Sequence, residues 1–270
     1  MNCAISVENL QKSYKGRAVL KGVSFCVERG EIFALLGVNG AGKTTALECI
    51  EGLRKYDGGK IRVCGRTGIQ LQSSSLPAHI RAVEAVRLFA ARNGRRADER
   101  MLSALGVDGF AKKQYGGLSE GQKRRLHLAL ALVRDPDVLF LDEPTAGLDV
   151  EGRASLHGLI RALKQAGKTI VLASHDMAEV EALCDRIAVL REGKIAFVGS
   201  VPALAAAVGR RHTVRVISER GEETRETDRL ADTLLEMLGE YKRLNIGVLD
   251  VRTDRGTLEE HFLRLSGGGR

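Results

Sequence analysis

The chain has no tryptophan, and aromatic residues fill only 4% of its 270 positions, so its core must be built largely from aliphatic side chains and alanine. No apolar run approaches the ~18 residues that a membrane-spanning helix requires. The first residues, Met1-Asn2-Cys3-Ala4-Ile5-Ser6-Val7-Glu8, lack the basic segment and long apolar stretch of a secretory signal. The five cysteines, Cys3, Cys26, Cys49, Cys64 and Cys184, are odd in number, with no C-x-x-C spacing and no neighbouring His pair. They are expected to act as small buried hydrophobes in a reducing compartment. Together these absences predict a soluble, cytosolic polypeptide.

Charge of one sign is in modest excess: 42 Lys and Arg against 34 Asp and Glu give +8 at neutral pH. Such a balance invites a nucleic-acid reading. The basic residues are dispersed, however, with only short clusters at Arg95-Arg96, Lys123-Arg124-Arg125 and Arg210-Arg211, and few aromatics serve as stacking platforms. The expectation is no nucleic-acid partner, and a solvated basic surface able to face anionic lipid head groups. The length allows one large or two modest domains.

What is present centres on Gly37-Val38-Asn39-Gly40-Ala41-Gly42-Lys43-Thr44-Thr45. The apolar run Glu31 to Leu36 precedes it with the length of a buried strand, and Ala46 to Glu51 follows with helical character. Strand, glycine-rich turn and a helix opening on Gly-Lys-Thr make a phosphate-binding loop. Glycines let successive backbone N–H groups converge on one concavity, and the helix N-terminus adds partial positive charge. In that arrangement Lys43 reaches the outer phosphates and the Thr44 hydroxyl ligates Mg²⁺.

Upstream, residues 4–8, Val19-Leu20 and Val23 to Val27 carry strand character, with Tyr14 at a turn between them. Tyr14 offers the flat surface on which an adenine stacks. Downstream, Asp57-Gly58-Gly59 followed by Lys60 to Val63 predicts a hairpin. Gly68 to Gln72 reads as a strand end, leaving Gln70 or Gln72 at the start of a polar loop. Residues from about Ile80 to Val133 are helical in pattern and form an insertion. Its last helix opens with Ser119 and Gln122 at capping-box spacing. Val138 to Leu141 is a continuous apolar run ending in Asp142-Glu143-Pro144, as a buried parallel strand ends at a ligand site. Mg²⁺ would compensate Asp142, leaving Glu143 to polarise a water. A second such unit runs through a helix at 150–166 and the strand Thr169 to Ala173 to His175, which there could stabilise charge on a phosphate. A helix from Met177 to Cys184 and strands at 187–190 and 194–198 complete this core. Beyond Pro202, strands at 213–217 and 246–251, an amphipathic helix carrying Leu230, Leu234, Met237, Leu238 and Tyr241, and a helix at 257–265 predict a small α+β appendage. The fold class is therefore α/β: a P-loop NTPase core with an N-terminal antiparallel β subdomain, a helical insertion and that appendage.

As a set, these segments resemble the nucleotide-binding subunits of ATP-binding cassette transporters over essentially the first 205 residues. Tyr14 resembles the adenine-stacking position, Gly37 to Thr44 the Walker A loop, and Gln72, in preference to Gln70, the Q-loop glutamine. Leu118-Ser119-Glu120-Gly121-Gln122 is similar to the signature LSGGQ, with Glu120 in place of its middle glycine. Asp142 and Glu143 resemble Walker B and the catalytic glutamate, Gly147-Leu148-Asp149 the D-loop, and His175 the switch histidine. The resemblance implies ATP and Mg²⁺ as cofactors, with Thr44, Gln72 and Asp142 toward the metal. It also implies a head-to-tail pair of cassettes in which Ser119 and Gly121 of one copy face the ATP of the other. A membrane-spanning permease, docked near the Gln72 loop and the helical insertion, would hold the chain at the inner face of the cell membrane. Gly256 to Leu265 resembles the terminal segment of drug- and antibiotic-resistance exporters, which favours export. The rival expectation, a soluble cassette acting on ribosomes or DNA, is weakened by a single cassette without sustained heptads.

Overall fold

The computed structural model describes residues 3–70, 75–207 and 212–255. The chain divides into two compact units, Met1–Ser200 and Val201–Arg270. In the first, β1 (Cys3–Tyr14), β2 (Arg17–Glu28) and β4 (Gly58–Val63) form an antiparallel sheet in the order β2-β1-β4. The central sheet has the order β5-β6-β7-β3-β8-β9, built from β3 (Ile32–Leu36), β5 (Thr67–Gln70), β6 (Val138–Asp142), β7 (Thr169–Ser174), β8 (Arg186–Arg191) and β9 (Lys194–Ser200). Its strands run parallel except for β9, which pairs antiparallel with β8.

Every residue of β3, β6 and β7 is buried, which is why these strands read as unbroken apolar runs. Phe33 and Leu35 of β3 join Phe25, Leu20 and Val23 of β2 and Leu47 of α1 (Lys43–Ile50) in one core, with the Phe25 and Phe33 rings stacked at 5.3 Å. Each such fully buried side chain contributes about 1.5–3 kcal/mol. That core holds the phosphate loop, at the end of β3, against an immobile base. The insertion contains α2 (Ala82–Arg92), α3 (Glu99–Ala104) and α4 (Glu120–Leu132), and α5 (Val150–Gln165) and α6 (Met177–Leu183) follow β6 and β7.

The second unit comprises α7 (Val201–Ala207), β10 (His212–Ser218), β11 (Gly221–Thr227), α8 (Leu230–Arg243) and β12 (Val248–Arg255), with sheet order β11-β10-β12. Val214, Val216, Met237 and Tyr241 form its small core. The predicted helix at 257–265 lies outside the described residues.

Two expectations are corrected. Lys60 to Val63 is a strand, but its partner is β1, more than fifty positions upstream, with Val7 opposite Ile61, so there is no local hairpin. Gly59 lies against the Asn9 and Glu8 carbonyls, where a Cβ would not fit, so the glycine pair serves a close strand approach. The cysteines are not all free: antiparallel pairing of β1 and β2 brings Cys3 and Cys26 to a Cα separation of 6.1 Å, and they form a disulfide. Cys49 is buried, Cys64 and Cys184 are partly buried, and burial pushes the thiols of Cys49 and Cys184 up from the ordinary range.

Candidate functional site

The turn between β3 and α1 builds the floor of the site. Gly42 caps α1 with φ of 107°, a left-handed conformation that residues with a side chain rarely adopt. At Gly37 a Cβ would stand 2.7 Å from the Leu190 carbonyl, so only glycine lets the loop lie this close to β8. Lys43 is 8% exposed, and its Nζ donates to the Gly37 carbonyl at 2.7 Å and the Val38 carbonyl at 3.4 Å. Burial lowers its proton affinity, opposed by the negative charges of Glu143 and Asp142. A cavity of about 640 Å³ opens above the loop, lined among others by Asn39, Gly40, Gly42, Lys43, Thr44, Thr45 and Glu143. Val38 is exposed and Ala41 buried beside them.

Just past the carboxyl end of β6, Glu143 reaches this cavity, with Asp142 buried next to it in the chain. Asp142 is 6% exposed, and burial, reinforced by Glu143, pushes its carboxyl up to about 6. Glu143 takes a left-handed φ of 48°, unusual for a residue with a side chain. Its backbone N–H donates to the Ala173 carbonyl at 3.0 Å, and its Oε1 lies 2.8 Å from His175 Nδ1. The two residues singled out for chemistry thus touch, although 32 positions separate them. Glu51, at the end of α1, belongs to the same acidic group: burial, then Asp142 and Glu48, push its carboxyl up to about 7.

Tyr14 stands at the end of β1, opposite Arg17, with 37% of its surface exposed. Lys12 Nζ and Arg54 Cζ each lie 5.4 Å from its ring centroid. Tyr14 is not part of the cavity lining, whereas Arg17, Val19 and Lys21 of β2 and the Glu192-Gly193 turn are. Sequence reasoning missed these as cavity residues; for Arg17, Val19 and Lys21 the available signal was their position just after the aromatic. Gln72 lies outside the described residues. Gln70 is 2% exposed inside β5, and neither atom of its amide has a hydrogen-bond partner.

Ser119, Glu120, Gly121, Gln122 and Asp149 line a second cavity, also about 640 Å³, that shares no residue with the first. Ser119 and Gln122 form the expected capping box: Gln122 N–H donates to Ser119 Oγ at 3.3 Å, and Ser119 N–H to Gln122 Oε1 at 3.2 Å. Glu120, in the first turn of α4, accepts from Lys123 Nζ at 2.8 Å, and that bond holds its carboxyl below the usual range. Asp149 caps α5 by accepting from Gly152 N–H at 2.8 Å. Among the described residues, no helix is long and apolar enough to cross a membrane.

Fold and cavity together define an ATP-binding cassette. Residues 20–146 match the ABC transporter family. Among curated relatives, the Nod factor export ATP-binding protein I of Burkholderia orbicola (strain AU 1054) is 39% identical, covering 74% of this chain and 72% of the relative. The linearmycin resistance ATP-binding protein LnrL of Bacillus subtilis (strain 168) is 34% identical over 76% of this chain and 72% of its own length. Among solved structures, the dimeric MJ0796, a bacterial ABC transporter cassette, superposes with a TM-score of 0.66 at 27% identity over 73% of this chain and 98% of that one. The chain belongs to the ABC transporter family, as an ATP-binding subunit and an ATPase.

Proposed function

We propose that this chain powers export through a separate membrane-spanning permease, working as one of a head-to-tail pair of cassettes, identical or not, at the cytoplasmic face of the membrane. Export is supported by the relatives named for Nod factor export and linearmycin resistance, and pairing by the dimeric cassette of similar fold. The cassette domain comprises residues 1–205, with its helical insertion at about 77–133, and residues 206–270 form the appendage.

The observation that carries the mechanism is the 2.8 Å contact between Glu143 and His175 beside the buried Lys43. In this reading the Gly37–Thr45 loop cradles the phosphates and Lys43 exchanges its loop carbonyls for phosphate oxygens. Tyr14 stacks on the adenine, and Gln72 and Asp149 belong to the nucleotide-facing set. Glu143 accepts the proton of the attacking water while His175 holds the carboxylate in place. Ser119, Gly121 and Gln122 sit in a separate cavity, so they serve the ATP of the second cassette.

The donor set suits a hard divalent cation. Asp142 carries a raised proton affinity among neighbouring carboxylates, and the exposed Thr44 lines the cavity beside Lys43 and Glu143. Asp142, Thr44 and Gln72 would hold Mg²⁺, which supplies neutralisation of phosphate charge. The test is Glu143→Gln, expected to retain ATP binding, accumulate closed dimers on size-exclusion chromatography and lose turnover by about a hundredfold or more. Unchanged turnover would refute the base assignment.

A further inference from the structure

Behind the Glu143–His175 contact lies a buried carboxylate that the reading above does not use. Glu179, near the start of α6, is 3% exposed. Its Oε2 accepts from Ser174 Oγ at 2.6 Å, and Ser174 is the fully buried residue just before His175. The same Ser174 oxygen accepts the Asp176 backbone N–H at 3.1 Å, so the chain is pinned on both sides of the histidine. The hydroxyl of Thr145, two residues beyond Glu143 and 4% exposed, acts on the Glu179 carboxylate as well. Burial nevertheless pushes that carboxyl up, with the Ser174 and Thr145 hydroxyls opposing.

Glu179 Oε1 has no hydrogen-bond partner, and nor has the buried Nε2 of His157 on α5, 3.9 Å away. A half-satisfied buried carboxylate is a costly way to fill space, and an apolar side chain would stabilise the same position better. Its position explains the cost. Glu179 is the group that joins the segment after Glu143 to the segment before His175, and His157, midway along α5, approaches it from the side. The α5–α6 pairing is further stitched by Arg153 Nη1 to Asp176 Oδ2 at 2.9 Å.

We infer that Glu179 is a positioning residue for ATP hydrolysis: through Ser174 and Thr145 it holds Glu143 and His175 at hydrogen-bonding distance. The inference rests on the reading that those two residues act on ATP. It makes no contact with nucleotide, so its effect falls on turnover and not on binding. In the full chain with MgATP, Glu179→Ala is expected to lower kcat about tenfold or more, with KM and the equilibrium affinity for ATP changed by less than about twofold. Glu179→Gln, which still offers Ser174 an acceptor, is expected to recover to within about threefold of the unsubstituted chain. Wild-type kcat in Glu179→Ala, or equal loss in both variants, overturns the proposal. Should Glu179→Ala fail to fold, Ser174→Ala and Thr145→Val each remove one tie, and unchanged kcat in both overturns it equally. Glu143→Gln run alongside separates the two claims. Full turnover there overturns the base assignment and this proposal with it, whereas an inactive Glu143→Gln beside a fully active Glu179→Ala overturns the positioning role alone.

Discussion

The two cavities of this cassette differ in how their polar groups are satisfied. Around Gly37–Thr45 the charged groups are buried and poorly matched: Lys43 leans on its own loop's carbonyls, Asp142 and Glu51 hold raised proton affinities, and Glu143 keeps a left-handed backbone. Around Ser119–Asp149 every named group has a local partner: a capping box, an N-cap and the Glu120–Lys123 pair at the surface. The first region is arranged for a ligand that brings charge of its own, while the second is complete as a protein surface and suited to meeting one presented from outside. The proposed function draws on unmet electrostatic demand in one place and on met demand in the other.

The sharpest way to break this contrast is Lys43→Ala, expected to weaken ATP binding about a hundredfold in equilibrium titration with a fluorescent ATP analogue. Unaltered binding would mean the buried cation is structural only. Next in size is the pH dependence of the nucleotide-free, Mg²⁺-free chain. Asp142 and Glu51 titrate near 6 and 7 when folded, above the 3.8 and 4.5 of exposed carboxyls, so the folded state binds the extra protons. Their contribution to stability is therefore full below about pH 4 and lost as pH rises through 6 to 7. Glu51→Gln should remove about 2 kcal/mol of that loss, measured by urea unfolding at pH 5 and pH 8. Identical slopes for the two proteins would deny the acidic strain. The smallest effect belongs to the second cavity: Ser119→Ala should cost about 1 kcal/mol in unfolding stability through the lost cap. It should leave the ATP affinity of the single chain within about twofold, and a tenfold loss would show that the two cavities are not independent.

Much of this site was legible before folding because its parts are local. The phosphate loop is one continuous turn whose glycines, lysine and threonines act through adjacent backbone, and the Ser119–Gln122 box needs only three residues of spacing. Asp142-Glu143 and His175 were legible as groups at the ends of apolar runs, since parallel strands deliver such ends to one edge of a sheet. Other features were hidden for physical reasons. β11, Gly221–Thr227, is a charged edge strand with no apolar alternation, so nothing in its pattern announced it. The Cys3–Cys26 bond and the pairing of β4 with β1 join residues whose nearness is set by strand register alone. Arg17, Val19 and Lys21 line the first cavity only because β2 passes over the loop.

By itself, then, the order of residues determined the class of chemistry and which groups are candidates for it, because helix caps, buried strands and phosphate turns are encoded in spacings of a few residues. Only the tertiary structure decided which of those groups meet. The Glu143–His175 contact, the carboxylate of Glu179 behind it and the separation of Ser119 from Lys43 all depend on strand order and on helices crossing between distant segments, where no local spacing carries the information.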